Sequence, residues 1–353
     1  MADDGLTFAI GGAILRYFQY PMRERGRAFM RLFKIVCAIL AGLAGAVRGF
    51  AGEQFLAFPG GASALYWAER SVEEGDPEAE YAVIFVHGLH KRPRDLSPMF
   101  KSLIRKDPRS RKVVFAMPAY FSPKNCPPAL KGKIALWDTG RHNWTHGDPS
   151  FGEAKIGSFE VIDRLYEAFS DRARYPKLKH ILLCGFSAGG QVVNRYIAVG
   201  NFVRQSHLDY SFAVGAPSTY LYVDGRRPTA DGSFRVPEPA VPGCDSWHMG
   251  LEKRNAYAAK LSKEEILANF ASRPTLYFCG EADVLPRGMY ATPAAMTQGE
   301  NRYKRFLNYR RYIALFPEWN KQCRFVTVPK YGHALNKVCA APEFLKLIFG
   351  ERE

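Results

Sequence analysis

From residue 60 onward, short apolar runs alternate with stretches in which apolar residues return every three or four positions. Ala64–Trp67 opens the series. Tyr81–Val86, Lys112–Met117, His180–Cys184, Tyr210–Gly215, Thr275–Cys279 and Arg324–Val328 follow. These runs are too short for helices and mostly apolar throughout, which is the pattern of strands covered on both faces. Between them, Phe159–Phe169 sets Phe159, Ile162, Leu165, Tyr166 and Phe169 on one helical face, with Ser158 as the expected N-cap. Gln191–Val199 and Pro342–Phe349 carry the same period. Strands alternating with helices predict an α/β fold with a doubly wound, mostly parallel sheet.

Two long stretches interrupt the alternation. Residues 122–157 contain Trp137, His142, Trp144 and His146, and residues 217–271 are rich in Pro, Gly and aromatics. Long loops in compact domains are uncommon unless they serve a site. Both are expected at the carboxyl edge of the sheet, where ligands bind in open α/β folds, and 217–271 is read as a lid or cap insertion.

The first 51 residues differ from the rest. Arg23, Arg25, Arg27, Arg31 and Lys34 precede the uncharged run Ile35–Val47 of 13 residues, and Ala44-Gly45-Ala46 has a small-x-small form. A spanning helix needs about 20 apolar residues, whereas the core of an export signal needs about 7–15. Residues 1–51 are therefore read as a signal-like or membrane-anchor segment ahead of a domain over 52–353. Secreted, periplasmic or membrane-anchored placement, with membrane association through the N-terminus, is the expectation. An amphipathic helix packed on the domain or lying on a membrane surface is the competing reading.

Composition changes this picture little. Hydrophobic residues make up 47% of the 353, enough for a large core. The net charge of +15 splits into +4 over residues 1–50 and +11 over the remainder. A basic surface can attract polyanions. No nucleic-acid motif accompanies it, so no nucleic-acid partner is expected. Six cysteines follow the N-terminal segment, and in an exported chain Cys323 and Cys339 are a candidate pair around the C-terminal loop. Cys184 and Cys279 sit inside strand runs and are expected as buried thiols.

The chemistry concentrates at Gly185-Phe186-Ser187-Ala188-Gly189-Gly190, between a strand run and a helical run. This is G-x-S-x-G in a strand–turn–helix context. A turn that sharp strains the serine and requires small neighbours. It also holds the hydroxyl above the sheet edge at the positive end of a helix. Serine needs a base. His333 follows the last strand run in Tyr331-Gly332-His333-Ala334 and is the candidate. Asp283, in Gly280-Glu281-Ala282-Asp283 after another strand run, is the candidate acid that orients it, with Glu281 as competitor. An oxyanion needs amide donors. Ala188 supplies one, and Leu89 in His87-Gly88-Leu89-His90 is expected to supply the other, with Gly88 making room.

The remaining histidines read differently. His87 and His90 are expected to support the oxyanion site, His142 and His146 belong to the Trp-rich loop, His248 to the lid stretch, and His180 and His207 to strand borders. His87, Gly88, Trp144 and Tyr220 are the candidates for substrate contact. Trp137, Tyr222 and Trp247 share their loops, where aromatics more often pack an insertion on the core. No cluster has metal-ligand spacing, so no metal or organic cofactor is expected.

Val86-His87-Gly88-Leu89, the G-F-S-A-G-G stretch, Gly280–Asp283 and Gly332-His333 together resemble the α/β-hydrolase superfamily over roughly residues 60–350. The order Ser187, Asp283, His333 is that superfamily's order. Ser158–Asp163, Ser187–Gln191 and Pro217–Tyr222 are similar to a narrower group of secreted or uncharacterised hydrolases of fungi and bacteria. That group tends to carry Asn-Pro-Ser-Ser where this chain has Gly215-Ala216-Pro217-Ser218. The resemblance implies a serine hydrolase acting on a small-molecule or polymeric carboxylic ester through an acyl-enzyme. An amidase or peptidase with the same triad, a membrane-associated lipase and a non-catalytic binding module are the alternatives. The module is the least favoured, because all three triad residues are present.

Overall fold

A computed structural model of the chain describes residues 52–89 and 93–352. The segment read as a signal or anchor, and His90 beside the oxyanion loop, lie outside the described residues. Among the described residues there are ten strands: β1 Gly52–Ala57, β2 Ser63–Ala68, β3 Tyr81–Val86, β4 Val113–Pro118, β5 His180–Phe186, β6 Asp209–Gly215, β7 Arg227–Pro228, β8 Phe234–Arg235, β9 Thr275–Gly280 and β10 Cys323–Val328. Eight of them form one sheet in the order β1-β2-β4-β3-β5-β6-β9-β10. β2 runs antiparallel to both β1 and β4, and the remaining pairs are parallel. β3 and β5 are buried along their whole length, as their apolar runs require.

Helices cover both faces. Adjacent residues of β9 point to opposite sides. Phe278 packs 5.2 Å from Phe344, which in turn meets Phe100, and these come from the helices Pro342–Ile348 and Pro93–Ile104. Tyr277 packs instead on Tyr309 of the helix Arg302–Ile313. On that second face the helices Ser158–Ser170 and Ala188–Val199 meet through Tyr166 stacked on Tyr196. The doubly wound expectation holds.

Three local expectations are corrected. Gly157, not Ser158, caps the helix Ser158–Ser170, because Glu160 reaches back to accept the Gly157 N–H at 2.8 Å. Ser158 is spent elsewhere, its hydroxyl donating to the Trp144 carbonyl at 2.8 Å. The stretch 217–271 is not one free-standing lid. Thr219–Tyr222 are fully buried, β7 and β8 form a small ribbon, and Lys263–Ser272 is the crossover helix into β9. Finally, Cys323 and Cys339 are both free thiols. Cys323 opens β10, whereas Cys339 lies beyond its far end and is buried near Cys184. A six-residue strand is about 20 Å long, and a disulfide needs Cα atoms within about 7 Å.

Candidate active site

The register brings the strand ends level. Val86 pairs with Gly185 and Gly185 with Val214, while Gly215 pairs with Phe278 and Gly280 with Val328. The segments His87–Leu89, Ser187, Asp283 and His333 therefore emerge at one edge, the carboxyl edge of the sheet.

Ser187 sits at the turn between β5 and the helix Ala188–Val199 with φ 61° and ψ −116°. A non-glycine residue at positive φ is strained and persists only where its surroundings hold it. Here the Ser187 N–H donates to the Gly215 carbonyl at 2.8 Å, and its carbonyl accepts from Gln191 N–H at 3.1 Å. The flanking glycines are steric necessities. A Cβ on Gly189 would lie 1.9 Å from the Val86 carbonyl oxygen, and one on Gly185 would lie 2.4 Å from the Gly189 carbonyl. The result is a half-buried Ser187 at a helix N-terminus.

Two backbone bonds tie the loop after β9 to the loop after β10. Glu281 N–H donates to Val328 O and Ala282 N–H to Tyr331 O, both at 2.9 Å. This lacing turns Asp283 inward, where its side chain is 2% exposed, and leaves Glu281 exposed. The His333 Nδ1–H donates to Asp283 Oδ2 at 2.6 Å. The structure thus brings Asp283, and not the competitor Glu281, to His333. The imidazole lies with its centre 4.8 Å from that of Phe186, the residue before Ser187, and 31% of the histidine side chain is exposed.

The opposite flank of Ser187 is the loop after β3. A Cβ on Gly88 would stand 3.5 Å from Ser187 Cβ, so Gly88 borders the serine directly. Leu89 is 39% exposed and Ala188 is buried as the first residue of the helix. His87 is buried between aromatic rings, 5.0 Å from Trp144 and 5.9 Å from Tyr120, and Trp144 stacks on Tyr120. Its Nε2 accepts the Tyr120 N–H at 3.2 Å, so Nδ1 carries the proton and donates to Gly88 O at 2.8 Å. Burial lowers its pKa from 6.5 to about 4, which keeps it neutral near pH 7. Gly88 O and the Leu89 N–H belong to one planar peptide. Holding the oxygen back therefore points the N–H the other way.

The two aromatic candidates for substrate contact are packed away from solvent. Trp144 is buried behind His87, and Tyr220 is fully buried and stacked 4.2 Å from Tyr309. His146 and His248 stack on each other at 3.5 Å, beside the buried Arg195 whose guanidinium donates to the Thr145 and His248 carbonyls. Trp137 and Tyr222 are buried, and Trp247 donates its indole N–H to His146 O. His180 is buried at the start of β5. Sequence reading missed Arg302 and Arg305, both buried beside this site. Their charge read as solvated surface, and only their spacing of three along one helix hinted at a shared face.

No protein-family model matches the sequence, and no curated protein matches it. Among solved structures, the chain is similar to poly(aspartic acid) hydrolase-1 from Sphingomonas sp. KT-1. The TM-score is 0.57 at 18% identity, over 85% of this chain and 98% of that one. It is also similar to the poly(3-hydroxybutyrate) depolymerase LpqC from Bordetella parapertussis. There the TM-score is 0.55 at 17% identity, over 86% of this chain and 91% of that one. With the strand order, the antiparallel β2 and the sharp turn at Ser187, this likeness shows that the chain has the α/β-hydrolase fold.

Proposed function

We propose that this protein is a serine hydrolase that cleaves a carboxylic ester through an acyl-enzyme intermediate. The observation that carries the reading is the buried Asp283 bonded to His333 at 2.6 Å, at the edge where Ser187 is held in a strained turn. With the Nδ1 proton committed to Asp283, the His333 Nε2 is the free base. It takes the Ser187 proton as Oγ attacks the ester carbonyl. The Ala188 and Leu89 amides receive the developing oxyanion. Asp283 stabilises the imidazolium without itself taking the proton. The imidazolium then protonates the leaving alcohol, and the neutral ring activates water to release the acid and free the serine.

The test is turnover of a p-nitrophenyl ester series by the full chain beside Ser187→Ala, together with labelling by a fluorophosphonate probe. Poly(3-hydroxybutyrate) and poly(aspartic acid), the polymers named for the two structural neighbours, supply a polyester and a polyamide arm. Ester turnover and labelling that both vanish in Ser187→Ala support the reading. A folded wild type that neither turns over any ester nor takes the label refutes it. Labelling with cleavage of amides alone would replace the ester by an amide.

A further inference from the structure

Asp283 has a second ionic neighbour. Its Oδ2 accepts from His333, while its Oδ1 faces Arg302 Nη1 at 3.7 Å, and both side chains are 2% exposed. The helix Arg302–Ile313 begins at this point. Asn301 caps it by accepting the Lys304 N–H, and the Tyr303 N–H donates to the Asp283 carbonyl at 3.1 Å. Acid and helix start are therefore locked together. The same guanidinium donates to the Arg287 carbonyl at 3.1 Å and to the Gly288 carbonyl. One turn on, Arg305 holds the far end of this loop and the segment after β6, donating to the Tyr290 carbonyl at 3.0 Å and the Ser218 carbonyl at 2.5 Å.

We propose that Arg302 is a positioning residue of the triad: through Asp283 it sets how firmly His333 holds the proton that it takes from Ser187. The inference rests on the serine-hydrolase reading. The Asp283 carboxylate and the Arg302 guanidinium face each other at 3.7 Å with almost no solvent between them, so their attraction is screened far less than that of a surface pair. The same cation offsets part of the field that Asp283 exerts on an imidazolium at His333, and removing it alone would strengthen that field. Two of the other titratable groups around the pair are neutral. Cys279 and Tyr220, which both feel the Asp283 charge, are kept protonated by burial. Arg305 is the next buried cation, and Glu281 and Lys330, on the two loops themselves, are exposed. The competing account makes Arg302 only a staple for the loop after Asp283.

Charge and hydrogen bonding can be separated by substitution. Arg302→Gln keeps amide donors for the Arg287 and Gly288 carbonyls and removes the charge. Arg302→Lys keeps the charge and loses the fork. Arg305→Gln weakens the same loop away from the carboxylate. The experiment is kcat and KM for a soluble p-nitrophenyl ester across pH 5–9, with melting temperatures, for the full chain and these variants. Arg302→Gln is expected to lower kcat about tenfold or more with little change in KM, and to move the acid limb of the profile to higher pH. Arg302→Lys is expected to restore the limb and most of kcat. Arg305→Gln is expected to lower the melting temperature and leave the limb in place. Equal losses in both Arg302 variants with an unmoved limb overturn the proposal. Should the Gln variant not fold, the Nδ1 proton resonance of His333 in Arg302→Lys decides. It is expected at its wild-type position, and a displaced resonance overturns the idea. If the wild type neither turns over ester nor takes a fluorophosphonate, the hydrolase reading has failed, and the resonance still tests the Arg302–Asp283–His333 contact.

Discussion

The two flanks of Ser187 are built from different materials. On one side His87, Tyr120 and Trp144 form a buried stack in which polar bonds run from the Tyr120 amide through the His87 ring to the Gly88 carbonyl. These three side chains carry no formal charge near pH 7. On the other side Asp283, Arg302 and Arg305 are buried with full charges, and backbone carbonyls accept from both guanidinium groups. The contrast follows from what each flank must do. A peptide dipole aimed at an oxyanion needs only to be held still, and neutral packing does that cheaply. On the proposed mechanism, the flank behind His333 must accommodate a charge that appears and disappears there, and fixed ions of both signs bracket that change.

The ionic flank should give the largest effect when cut. Asp283→Asn preserves shape but offers the Nδ1–H a weaker acceptor and favours the wrong tautomer. A kcat loss of roughly 10⁴-fold is expected, read from steady-state ester hydrolysis, with a lower melting temperature because Arg302 loses its buried counter-charge. A loss under tenfold would mean that Asp283 does not orient the base. The neutral flank should yield less. His87→Phe keeps a ring between Tyr120 and Trp144 and frees the Gly88–Leu89 peptide to turn. If that peptide supplies an oxyanion donor, kcat should fall about 10²-fold with little change in KM. A kcat within twofold of wild type would remove Leu89 from the oxyanion site.

How far these flanks were legible in the sequence follows from the same difference. β3, β5 and the Gly185–Gly190 turn announce themselves because buried parallel strands are nearly all apolar and the sharp turn allows only small neighbours. Asp283 is readable because it follows the fully buried β9 within a few residues, and His333 because it follows the partly buried but still recognisable run of β10. β1 is not readable in that way. It is an edge strand whose burial alternates, with only Leu56 fully covered, so no apolar run marks it. The helix Arg302–Ile313 is harder still, since Arg302, Arg305 and Asn308 occupy buried positions and break the apolar period. A buried guanidinium looks like surface until the carbonyls that receive it are known. Cys323 and Cys339 mislead for a related reason, because nearness in sequence around one loop hides the length of the strand between them.

Acid should strip the neutral flank before the ionic one. Burial lowers the pKa of His87 and of His180 from 6.5 to about 4, and lowers those of His146 and His248, with Arg195 adding to the effect on both. A depressed folded value means that the unfolded chain binds more protons between pH 6.5 and 4. Stability from these residues is complete above pH 6.5 and is lost as pH falls through about 4. Each of His87 and His180 is expected to account for about 3 kcal/mol over that window. Asp148 and Asp163, whose carboxyls burial holds above their usual range, act in the opposite sense near the carboxylate range. Urea midpoints measured from pH 8 to pH 4 should fall steeply below pH 6.5, and less steeply in His180→Leu. A flat profile would mean that these rings are hydrated.

The finest division lies within one helix turn. Glu160 accepts the Gly157 N–H and Ser158 donates to the Trp144 carbonyl, so neighbouring residues serve two purposes. Glu160→Ala removes only a cap, at a cost of about 1 kcal/mol, or a drop of about 2–4 °C in melting temperature. Nothing in that bond reaches Ser187, and kcat should stay at the wild-type value. Ser158→Ala removes a bond of similar strength but releases the tryptophan on which His87 rests. The melting temperature should fall by about the same amount, and kcat should fall a fewfold as well, because the Gly88–Leu89 peptide is held only as firmly as the stack behind it. If the two variants melt alike and turn over alike, Trp144 does not transmit to the oxyanion loop, and His87 is held by Tyr120 alone.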